Sequence, residues 1–451
     1  MENLKSKIQI PSDVQKILDL LDHNNYDAYI VGGCVRDCIL NKVPNDWDIC
    51  TNCTPEKVID IFNSFKVIPT GLKHGTVTIV MNGENYEVTT YRIDGNYIDG
   101  RRPEEVEFTS DLKEDLKRRD FTINAMAYNN RSGLIDYYGG LDDILNKKIR
   151  CVGNPLDRFR EDYLRMLRAI RFSTQLEYDL DTDTFNAIEN LSQNIKHISA
   201  ERIREEINKI LISNIPSKGF ELLNTTGMLK HILPELEKCV GFDQHNPHHD
   251  KDIFNHILNV MDHVENDLIL RLSALFHDIG KAETFTLDDK GIGHFYKHNL
   301  ISSEIAHKVM KRLKYDNKTI EQVVILVREH MSKLENSKDQ AVRRLINRVG
   351  IDHMDGLFKL QIADRRSKAE KDRDITSILQ LKNRVDKILS SKDPLFIKDL
   401  KINGQDLINL GIPEGRQIGI ILKDLMKIVL KNPELNTKES LIEIVKNRFV
   451  E

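Results

Sequence analysis

The sequence predicts a mixed α/β unit at its N-terminal end, followed by an elongated all-helical body. Short runs of β-branched and aromatic residues alternate with helical patterns through residues 1–150. From Asp157 onward these runs nearly vanish, and amphipathic helical patterns continue almost to the C-terminus. A chain of 451 residues is long enough for roughly two to four domains.

The elements of the α/β unit follow one another closely. Apolar residues at helical spacing predict a helix over 13–24. A second helix is predicted at Pro55–Phe65, with Thr54 as its N-cap. The segment Gly95–Pro103 is rich in Gly, Asp, Asn and Arg, which is typical of a loop. Strands are predicted at four runs: Ala28–Val31, Trp47–Ile49, Thr76–Val80 and Tyr86–Tyr91.

The composition excludes several classes of protein. With 40% apolar and 30% charged residues, the chain is an ordinary globular protein. It has no uninterrupted apolar run of about 18 residues and no apolar leader, so we expect no membrane partner. Six cysteines in so long a chain do not make a disulfide framework, which favours a reducing cytoplasm. The C-x-x-C pair Cys50 and Cys53 has no second pair after it, so we do not interpret it as a zinc or redox site.

Net charge neither indicates nor excludes binding to nucleic acid. The formal charge is −4, but arginines cluster locally, and a local basic stripe can bind phosphates on a slightly acidic protein. These clusters are Arg118-Arg119, then Arg165, Arg168 and Arg171, and finally Arg343-Arg344 with Arg348.

A glycine pair and an arginine precede two closely spaced carboxylates in the α/β unit. Gly32 and Gly33 allow a backbone to approach phosphate, and Arg36 can pair with phosphate oxygens through its planar donors. Alternate residues of a strand share a face, so Asp46 and Asp48 would point into one pocket. Carboxylates and substrate phosphates together are what Mg²⁺ prefers. An Asp-x-Asp alone is more often a solvated turn, but the upstream residues favour a metal-dependent triphosphate site.

Two further segments of the α/β unit have two interpretations each. Glu87, on the strand Tyr86–Tyr91, is either a third carboxylate on the same sheet or a surface residue. The segment Lys117–Ala125 can contact triphosphate and ribose, or it can be a helix start capped by Asp120. For this second segment, the residues alone favour the structural role.

The segment Arg158–Arg171 presents a carboxylate close to several arginines. On a continuous helix Asp162 and Arg165 are three residues apart and would lie side by side, with Arg168 and Arg171 continuing the row. A salt-bridged helix surface is one interpretation. The other is that an acceptor beside donors matches the edge shared by cytosine and adenine, and rejects guanine and uracil. The pair would thereby select CTP and ATP.

Histidines and aspartates recur over successive helical patterns in the second half of the chain. They include an adjacent pair, His277 and Asp278, between apolar residues that predict a buried helix end. Two buried polar groups need a partner such as a metal ion. Lys281 is then available for phosphate. The other members are His256, His298, His330 and Asp364.

The chain resembles a known family, the class II tRNA nucleotidyltransferases (CCA-adding enzymes) and bacterial poly(A) polymerases. The matching motifs occur in the family's order between residue 28 and about residue 210. The segment after residue 250 resembles an HD phosphohydrolase domain, and the tail around Ile402–Gly404 and Leu410–Gly415 resembles a tRNA-binding end. The motifs are Gly32-Gly-x-Val-Arg-Asp37, Asp46-x-Asp48, His74-Gly-Thr-Val77, Glu87-Val-Thr-Thr-Tyr-Arg92, Asp99-Gly-Arg-Arg-Pro103, Arg118-Arg-Asp-Phe-Thr-x-Asn-Ala125 and Glu161-Asp-x-x-Arg165.

The resemblance implies a role for each matching residue. Asp46 and Asp48 are the catalytic residues that hold Mg²⁺. The metal activates the RNA 3′-hydroxyl and stabilises the departing pyrophosphate. The residues that bind the nucleotide are Gly33, Arg36, Arg119, Asp162, Arg165, Arg168 and Arg171. A second divalent metal in the HD domain would be held by His256, His277, Asp278 and Asp364.

The resemblance also implies the domain organisation and the activity. It implies a polymerase-β-like nucleotidyltransferase head at 1–150, a neck for base recognition and RNA binding at 151–240, an HD domain at 241–370 and a tRNA-binding tail at 371–451. Its partners would be the tRNA 3′ end, CTP and ATP. We expect template-independent addition of CCA, because the loop before Asp99–Pro103, missing from CC-only enzymes, is present. Poly(A) synthesis, addition of A alone, and HD phosphohydrolysis of RNA ends remain alternatives.

Overall fold

The computed structural model describes residues 8–95, 106–245, 251–334 and 337–449. The chain divides into two compact units, residues 1–234 and residues 235–451. The first unit begins with a mixed sheet and continues as helices, and the described part of the second unit is helical apart from one short hairpin. The predicted fold class, an α/β head followed by a largely helical body, is confirmed.

The head contains one seven-stranded sheet with the order β3-β4-β5-β2-β1-β8-β9. Strands β2 and β5 are parallel, and the other neighbours in this sheet are antiparallel. In the parallel pair, Asp48 is in register with Glu87, so the two side chains lie on the same face. The strands of the first unit are β1 (Ala28–Val31), β2 (Asp48–Thr51), β3 (Lys66–Gly71), β4 (Thr76–Met81), β5 (Glu84–Thr90), β6 (Arg92–Asp94), β7 (Val106–Phe108), β8 (Met126–Asn129), β9 (Gly133–Asp136), β10 (Lys148–Ile149) and β11 (Asp179–Leu180).

Alternating burial explains how the sheet forms and where its core lies. Along β4, every second residue is buried, as expected for a strand with one face towards the interior. The short β1 is buried throughout. One cluster of buried residues supports the backbone from which the candidate site projects. It consists of Tyr29, Val31, Cys50, Tyr91, Leu112, Leu116, Ala125, Ala127 and Val152.

Helices surround the sheet and then form the rest of the first unit. Several begin at side-chain caps: the Asp111 carboxylate accepts from the amide of Lys113, and the Asn154 side chain accepts from the amide of Leu156. These helices are α1 (Ser12–His23), α2 (Gly33–Ile39), α3 (Pro55–Ile61), α4 (Leu112–Lys117), α5 (Gly140–Leu145), α6 (Pro155–Glu161), α7 (Leu164–Leu176), α8 (Thr182–Leu191), α9 (Ala200–Leu211), α10 (Pro216–Thr225) and α11 (Leu229–Ile232).

The second unit packs its helices around several buried polar residues. Helices α14 and α19 contact each other, and each of them contacts both α13 and α17; α16 packs against α17. The hairpin is β12 (Phe285–Leu287) with β13 (Gly293–Phe295). The helices, starting with one that spans the boundary between the units, are α12 (Pro234–Glu237), α13 (Ile253–His263), α14 (Leu268–Phe276), α15 (Lys281–Thr284), α16 (His298–Arg312), α17 (Asn317–Glu329), α18 (Asp339–Val349), α19 (Ile351–Arg366), α20 (Thr376–Ser390), α21 (Gly404–Asn409), α22 (Arg416–Lys431) and α23 (Lys438–Phe449).

Several predicted elements differ from the observed ones. The helix predicted to reach Phe65 ends at Ile61, because Phe62 leaves the helical backbone and is fully buried. Its N-cap is Thr54, as predicted, but the Thr54 side chain makes no capping hydrogen bond. Strand β2 begins at Asp48 rather than Trp47, so Asp46 precedes the strand and the prediction that both aspartates alternate along it is wrong. All of the predicted loop Gly95–Pro103 except Gly95, including the motif Asp99–Pro103, lies outside the described residues.

Candidate active site and candidate metal centre

The glycine pair places a backbone turn directly against a guanidinium group. Gly32 has φ +82°, a backbone conformation that residues with a side chain rarely adopt, and it immediately precedes α2. A Cβ atom at this position would lie 2.8 Å from Nη1 of Arg119. The turn therefore requires glycine, and the missing Cβ leaves room for the Arg119 guanidinium at its present position, while Gly33 starts the helix beside it.

Arg36 connects this turn to the segment that follows α4. Its Nη1 donates to Oδ1 of Asn124 at 2.7 Å, and its Nε donates to Oδ1 of Asp37 at 2.9 Å. Asn124 in turn donates to Oδ1 of Asp120 at 3.1 Å. These bonds restrict the Arg36 guanidinium to one orientation, as preorganised recognition of a triphosphate requires.

Asp120 is a member of a charged network and not a helix cap. Its Oδ2 accepts from Nε of Arg168 at 2.9 Å, across 48 residues of sequence. Burial alone would raise the pKa of Asp120, but the charge of Arg168 and the amide of Asn124 hold it well below the ordinary value. The interpretation of Asp120 as a helix cap is wrong, since the short 3-10 helix Thr122–Asn124 that follows it has Phe121 at its N-cap and no side-chain cap. Phe121 and Ile123, expected in the core, are fully buried.

Three carboxylates lie near the start of β2. Asp48 is paired in register with Glu87, and Asp46 lies two residues before it. The Asp48 side chain retains access to solvent, yet its pKa is raised. Desolvation is the largest cause, Arg119 partly opposes it, and the negative charges of Asp46 and Glu87 add to it. A divalent cation would relieve this repulsion, so the three oxygen donors fit a hard metal ion.

The expected base-reading pair is separated by a break in the helix. Helix α6 ends at Glu161, and Asp162 has an extended backbone with φ −144° and ψ 106°. Its carboxylate accepts from the amide of Leu164 and from Nη2 of Arg202, both within 3.0 Å. An aspartate that bonds a nearby amide competes with the helical backbone, which accounts for the break. The prediction that Asp162 and Arg165 lie on one helix is therefore wrong.

Arg165 is held by other groups. It donates to the carboxylate of Glu161 and, at 3.1 Å, to the carbonyl oxygens of Arg158 and Arg118. The described structure thus brings Arg165 to the same turn as Asp162, but it gives each side chain a different ionic partner.

Phe172 is a residue that sequence reasoning missed. The guanidinium carbons of Arg171, Arg36 and Arg168 lie 3.9, 5.0 and 5.6 Å from the centre of its ring. Arg171 also forms an ion pair with the buried Glu206 at 2.8 Å, and burial lowers the pKa of Arg171 to about 10. The aromatic ring therefore gathers three of the predicted nucleotide-binding arginines. The only available signal was the position of Phe172 directly after the arginine row.

In the second unit, a separate cluster brings together all the predicted HD residues. His256 lies on α13, His277 and Asp278 directly follow α14, and Asp364 lies on α19. One donor atom from each lies within 4.8 Å of the others. Nε2 of His256 is 3.1 Å from Oδ1 of Asp364, and Nε2 of His277 is 3.3 Å from Oδ2 of Asp278.

The electrostatics of this cluster are those of closely coupled charges. Burial opposes ionisation of Asp278, but His277 and Lys281 keep its pKa well below the ordinary value. Lys281, expected to be available for phosphate, is instead buried, and its Nζ lies 2.7 Å from Oδ2 of Asp278. Lys368 lies 3.1 Å from Asp364 in the same way. The imidazole and carboxylate donors suit a divalent transition metal. The two lysine ammonium groups supply positive charge next to the carboxylates that such an ion would bind.

Comparisons with known proteins identify the family. Family models match at residues 28–150 (Poly A polymerase head domain), 177–239 (Probable RNA and SrmB- binding site of polymerase A) and 295–445 (tRNA nucleotidyltransferase domain 2 putative). The chain is 34% identical to the CCA-adding enzyme of Ligilactobacillus salivarius, over 98% of both chains. It is 32% identical to that of Staphylococcus epidermidis, over 97% of this chain and 98% of the relative.

The chain belongs to the CCA-adding enzyme family.

Solved structures agree with this assignment. The Bacillus stearothermophilus CCA-adding enzyme in complex with CTP is 28% identical, with a TM-score of 0.71 over 96% of this chain and 97% of that one. The Thermotoga maritima CCA-adding enzyme complexed with tRNA has the same fold, with a TM-score of 0.60 at 21% identity. A nucleotidyltransferase of the CCA-adding enzyme family implies a divalent metal, and the carboxylates at the start of β2 fit one. Within the described residues, no helix has the length and apolar character needed to span a membrane.

Proposed function

We propose that this chain adds CCA to the 3′ end of tRNA, using CTP and ATP without a template and releasing pyrophosphate. Full-length similarity to CCA-adding enzymes supports this proposal. The observation that carries it is the pairing of Asp48 with Glu87, with Asp46 two residues before it, close to Arg119 and the Gly32–Gly33 turn. This arrangement combines oxygen donors for a metal with donors for a triphosphate.

Each residue of the head has a defined task in this proposal. Asp46 and Asp48 are the catalytic carboxylates that hold Mg²⁺, and Glu87 adds a third negative charge. Gly33, Arg36 and Arg119 bind the triphosphate. Bound Mg²⁺ would lower the pKa of the RNA 3′-hydroxyl and neutralise charge on the departing pyrophosphate.

Asp162 and Arg165 are proposed to read the Watson–Crick edge of the incoming base. Asp162 must then leave Arg202 and accept from the exocyclic amino group of cytosine or adenine. Arg165 must leave Glu161 and donate to the neighbouring ring nitrogen. Arg168 and Arg171 assist through their contacts with Phe172. Uracil and guanine present a carbonyl to Asp162, which leaves two acceptors facing each other.

The decisive assay supplies tRNA that lacks its 3′ end, Mg²⁺ and each labelled triphosphate separately and together. We expect incorporation of two C and one A, and no comparable incorporation of U or G. A long tail of A would support poly(A) polymerase instead, and incorporation of A only onto tRNA ending in CC would support the A-adding alternative.

The base-reading role has its own variants. Asp162→Ala and Arg165→Ala should each reduce the preference for CTP over UTP by about 10- to 10²-fold, because a lost hydrogen-bonding pair removes about 1–3 kcal/mol per base contact. Asp157→Asn and Arg160→Ala are matched controls, since both side chains lie on the same turn region and are more than half exposed. An unchanged preference in the first two variants would refute this role.

We also propose a division of labour along the chain. The head is assigned to residues 1–150, the neck to 151–240, the HD domain to 241–370 and a tRNA-binding tail to 371–451. Six free, buried cysteines are compatible with a reducing compartment, so we propose that the protein acts in the cytoplasm.

A second candidate activity is supported by the cluster in the second unit. We propose that His256, His277, Asp278 and Asp364 hold a divalent transition metal for phosphohydrolysis of RNA ends. Four buried ligands within 4.8 Å support this proposal, because uncompensated burial of such groups is unfavourable. Release of phosphate from RNA ends should be abolished by Asp278→Ala and retained by Asp46→Ala. Loss in both variants would refute an independent second site.

A further inference from the structure

A buried carboxylate, Asp115, lies next to two arginines at the C-terminal end of α4. Its side chain is fully buried, and Arg118 and Arg119 follow it directly after the helix. Burying an ionised carboxylate is unfavourable unless it is paired, and an apolar residue of similar size is often tolerated in its place. The stability of α4 alone therefore does not explain an aspartate at this position.

The two oxygens of Asp115 have different surroundings. Oδ1 accepts from Nε of Arg118 at 2.9 Å and from the backbone amide of Arg92 at 3.3 Å. Oδ2 has no hydrogen bond among the described residues, although it is buried. It is in ionic contact with Nη2 of Arg119, at 3.7 Å. Because buried acceptors are normally satisfied, Oδ2 is the acceptor that remains for Arg119.

The Arg119 guanidinium lies between Asp115 and the glycine turn of the proposed triphosphate site. Nη2 faces Asp115, whereas Nη1 lies 2.8 Å from the point that a Cβ atom at Gly32 would occupy. Burial raises the pKa of Asp48, and the positive charge of Arg119 opposes that rise. One end of the guanidinium is therefore turned towards the turn, and the other end is turned towards Asp115.

Asp115 also supports the charge of this arginine. Burial opposes the charged form of Arg119, but neighbouring negative groups, with Asp115 the largest contributor, raise its pKa above the ordinary value. A guanidinium is planar and carries its donors in a fixed fork, so a carboxylate that binds one edge orients the others. Donors held in place in this way are what rapid and selective binding of a triphosphate requires.

We propose that Asp115 is a positioning residue for nucleotide binding, whose Oδ2 holds one edge of Arg119 so that the opposite edge points at the triphosphate. The inference rests on the proposed CTP- and ATP-dependent reaction and on the role of Arg119 in it. Asp115 does not contact the nucleotide, so its effect passes through Arg119. That effect concerns the phosphates and not the base, so the binding of CTP and of ATP should depend on it equally.

The test is a double-mutant cycle, measured as nucleotide binding to the full-length protein. Asp115→Asn retains one oxygen for Arg118 and Arg92, and it places an amide donor where Arg119 needs an acceptor. We expect the Kd values of CTP and of ATP to rise by roughly 10-fold each, with the Kd of tRNA unchanged. In an Arg119→Ala background, Asp115→Asn should change the nucleotide Kd values by less than about 2-fold.

Glu114→Gln is the matched control on the same helix. The Glu114 carboxylate is 33% exposed and pairs with Lys117 three residues along the chain, as Asp115 pairs with Arg118. The substitution removes one negative charge without touching Arg119. Every Kd should therefore stay within about 2-fold of the value of the parent protein.

Arg119→Lys tests the same inference if Asp115→Asn does not fold. A single ammonium group cannot bind Asp115 with one edge and a phosphate with another, so lysine should weaken CTP binding about as much as alanine does. An affinity for CTP equal to that of the parent protein would refute orientation by Asp115.

The outcomes separate this inference from the proposed function. If Asp115→Asn leaves nucleotide binding unchanged, or weakens it by the same factor with and without Arg119, the positioning role is refuted while CCA addition by the parent protein stands. A matching loss of affinity for tRNA would also refute it. If the parent protein binds both nucleotides but adds no CCA, the proposed function fails and the cycle alone decides the role of Asp115. A parent protein that binds neither nucleotide would refute both.

Discussion

The two units of this chain each gather carboxylates, but in opposite surroundings. In the head, Asp46, Asp48 and Glu87 are exposed side chains at the start of β2 and along β5, and all three offer oxygen only. In the second unit, Asp278 is 2% exposed and is surrounded by histidines that are also buried. The same residue type therefore occurs in two different sets of possible metal donors.

The difference indicates when each ion would bind. An open set of oxygens suits a hydrated hard ion that arrives with a triphosphate and departs with pyrophosphate. A closed set of imidazole and carboxylate groups suits an ion that remains in the protein, because its ligands are already positioned and out of contact with water. We expect the head to be a transient metal site and the second unit to be a resident one.

The largest effect should come from substitutions that remove one candidate metal ligand from one site at a time. Asp48→Asn should lower nucleotide incorporation by about 10³-fold or more, because a metal-binding carboxylate is lost. His277→Gln should leave incorporation unchanged while lowering the tightly bound transition metal. Steady-state incorporation and metal analysis of the desalted proteins measure the two effects. Glu84→Gln, which replaces an exposed carboxylate at the first residue of β5, is the control. Any cross-effect would contradict the independence of the sites.

Two glycines should show that each site depends on close backbone packing. A Cβ at Gly140 would lie 2.2 Å from the carbonyl oxygen of Thr122, and a Cβ at Gly280 would lie 2.6 Å from the amide of Ser302. We expect either substitution by alanine to lower the free energy of unfolding by about 2–3 kcal/mol, through forced backbone shifts.

Gly419→Ala is the matched control for these two variants. Gly419 lies within α22, and the space that a Cβ atom would occupy there has no neighbouring atom within 4 Å. Alanine should therefore be neutral or stabilise the protein by up to about 1 kcal/mol. Denaturant unfolding of the three variants measures the differences. Equal stability of all three would contradict the close packing at Gly140 and Gly280.

The smallest of these effects concerns the ion pair that supports the head. Asp120→Asn should lower the free energy of unfolding by about 2 kcal/mol at neutral pH, because Arg168 loses a buried carboxylate partner. The pKa of Asp120 is lowered in the folded protein, so its contribution is complete above the unfolded pKa of about 4 and is lost as the pH falls towards the folded value.

The difference in the free energy of unfolding between the parent protein and Asp120→Asn should therefore decrease below about pH 4. Unfolding measured at pH 7 and at several acidic values checks this. Asp157→Asn, whose side chain is 70% exposed, should show a difference of no more than about 0.5 kcal/mol at any pH. A difference in unfolding free energy that stays constant with pH would contradict the claim that the ionised Asp120 carboxylate stabilises the fold.

Local patterns predicted much of the fold but not the partners within the sites. Strand β1 and helix α1 lie within one residue of their expected bounds, because burial follows the periodicity of each element. The break at Asp162 was missed, because a continuous helical pattern does not reveal that its carboxylate bonds the amide of Leu164. The order of strands, which places Asp48 beside Glu87, likewise has no local signal.

The sequence by itself determined the class of each unit, the family, and the residue types available for chemistry. Those properties depend on spacing and composition over a few residues at a time. Only the tertiary structure decided which of them meet: Asp120 with Arg168, Phe172 with Arg36, and Asp278 with His256 and Asp364. Such contacts join residues tens of positions apart, so they follow from how strands order and helices pack, which a local pattern does not specify.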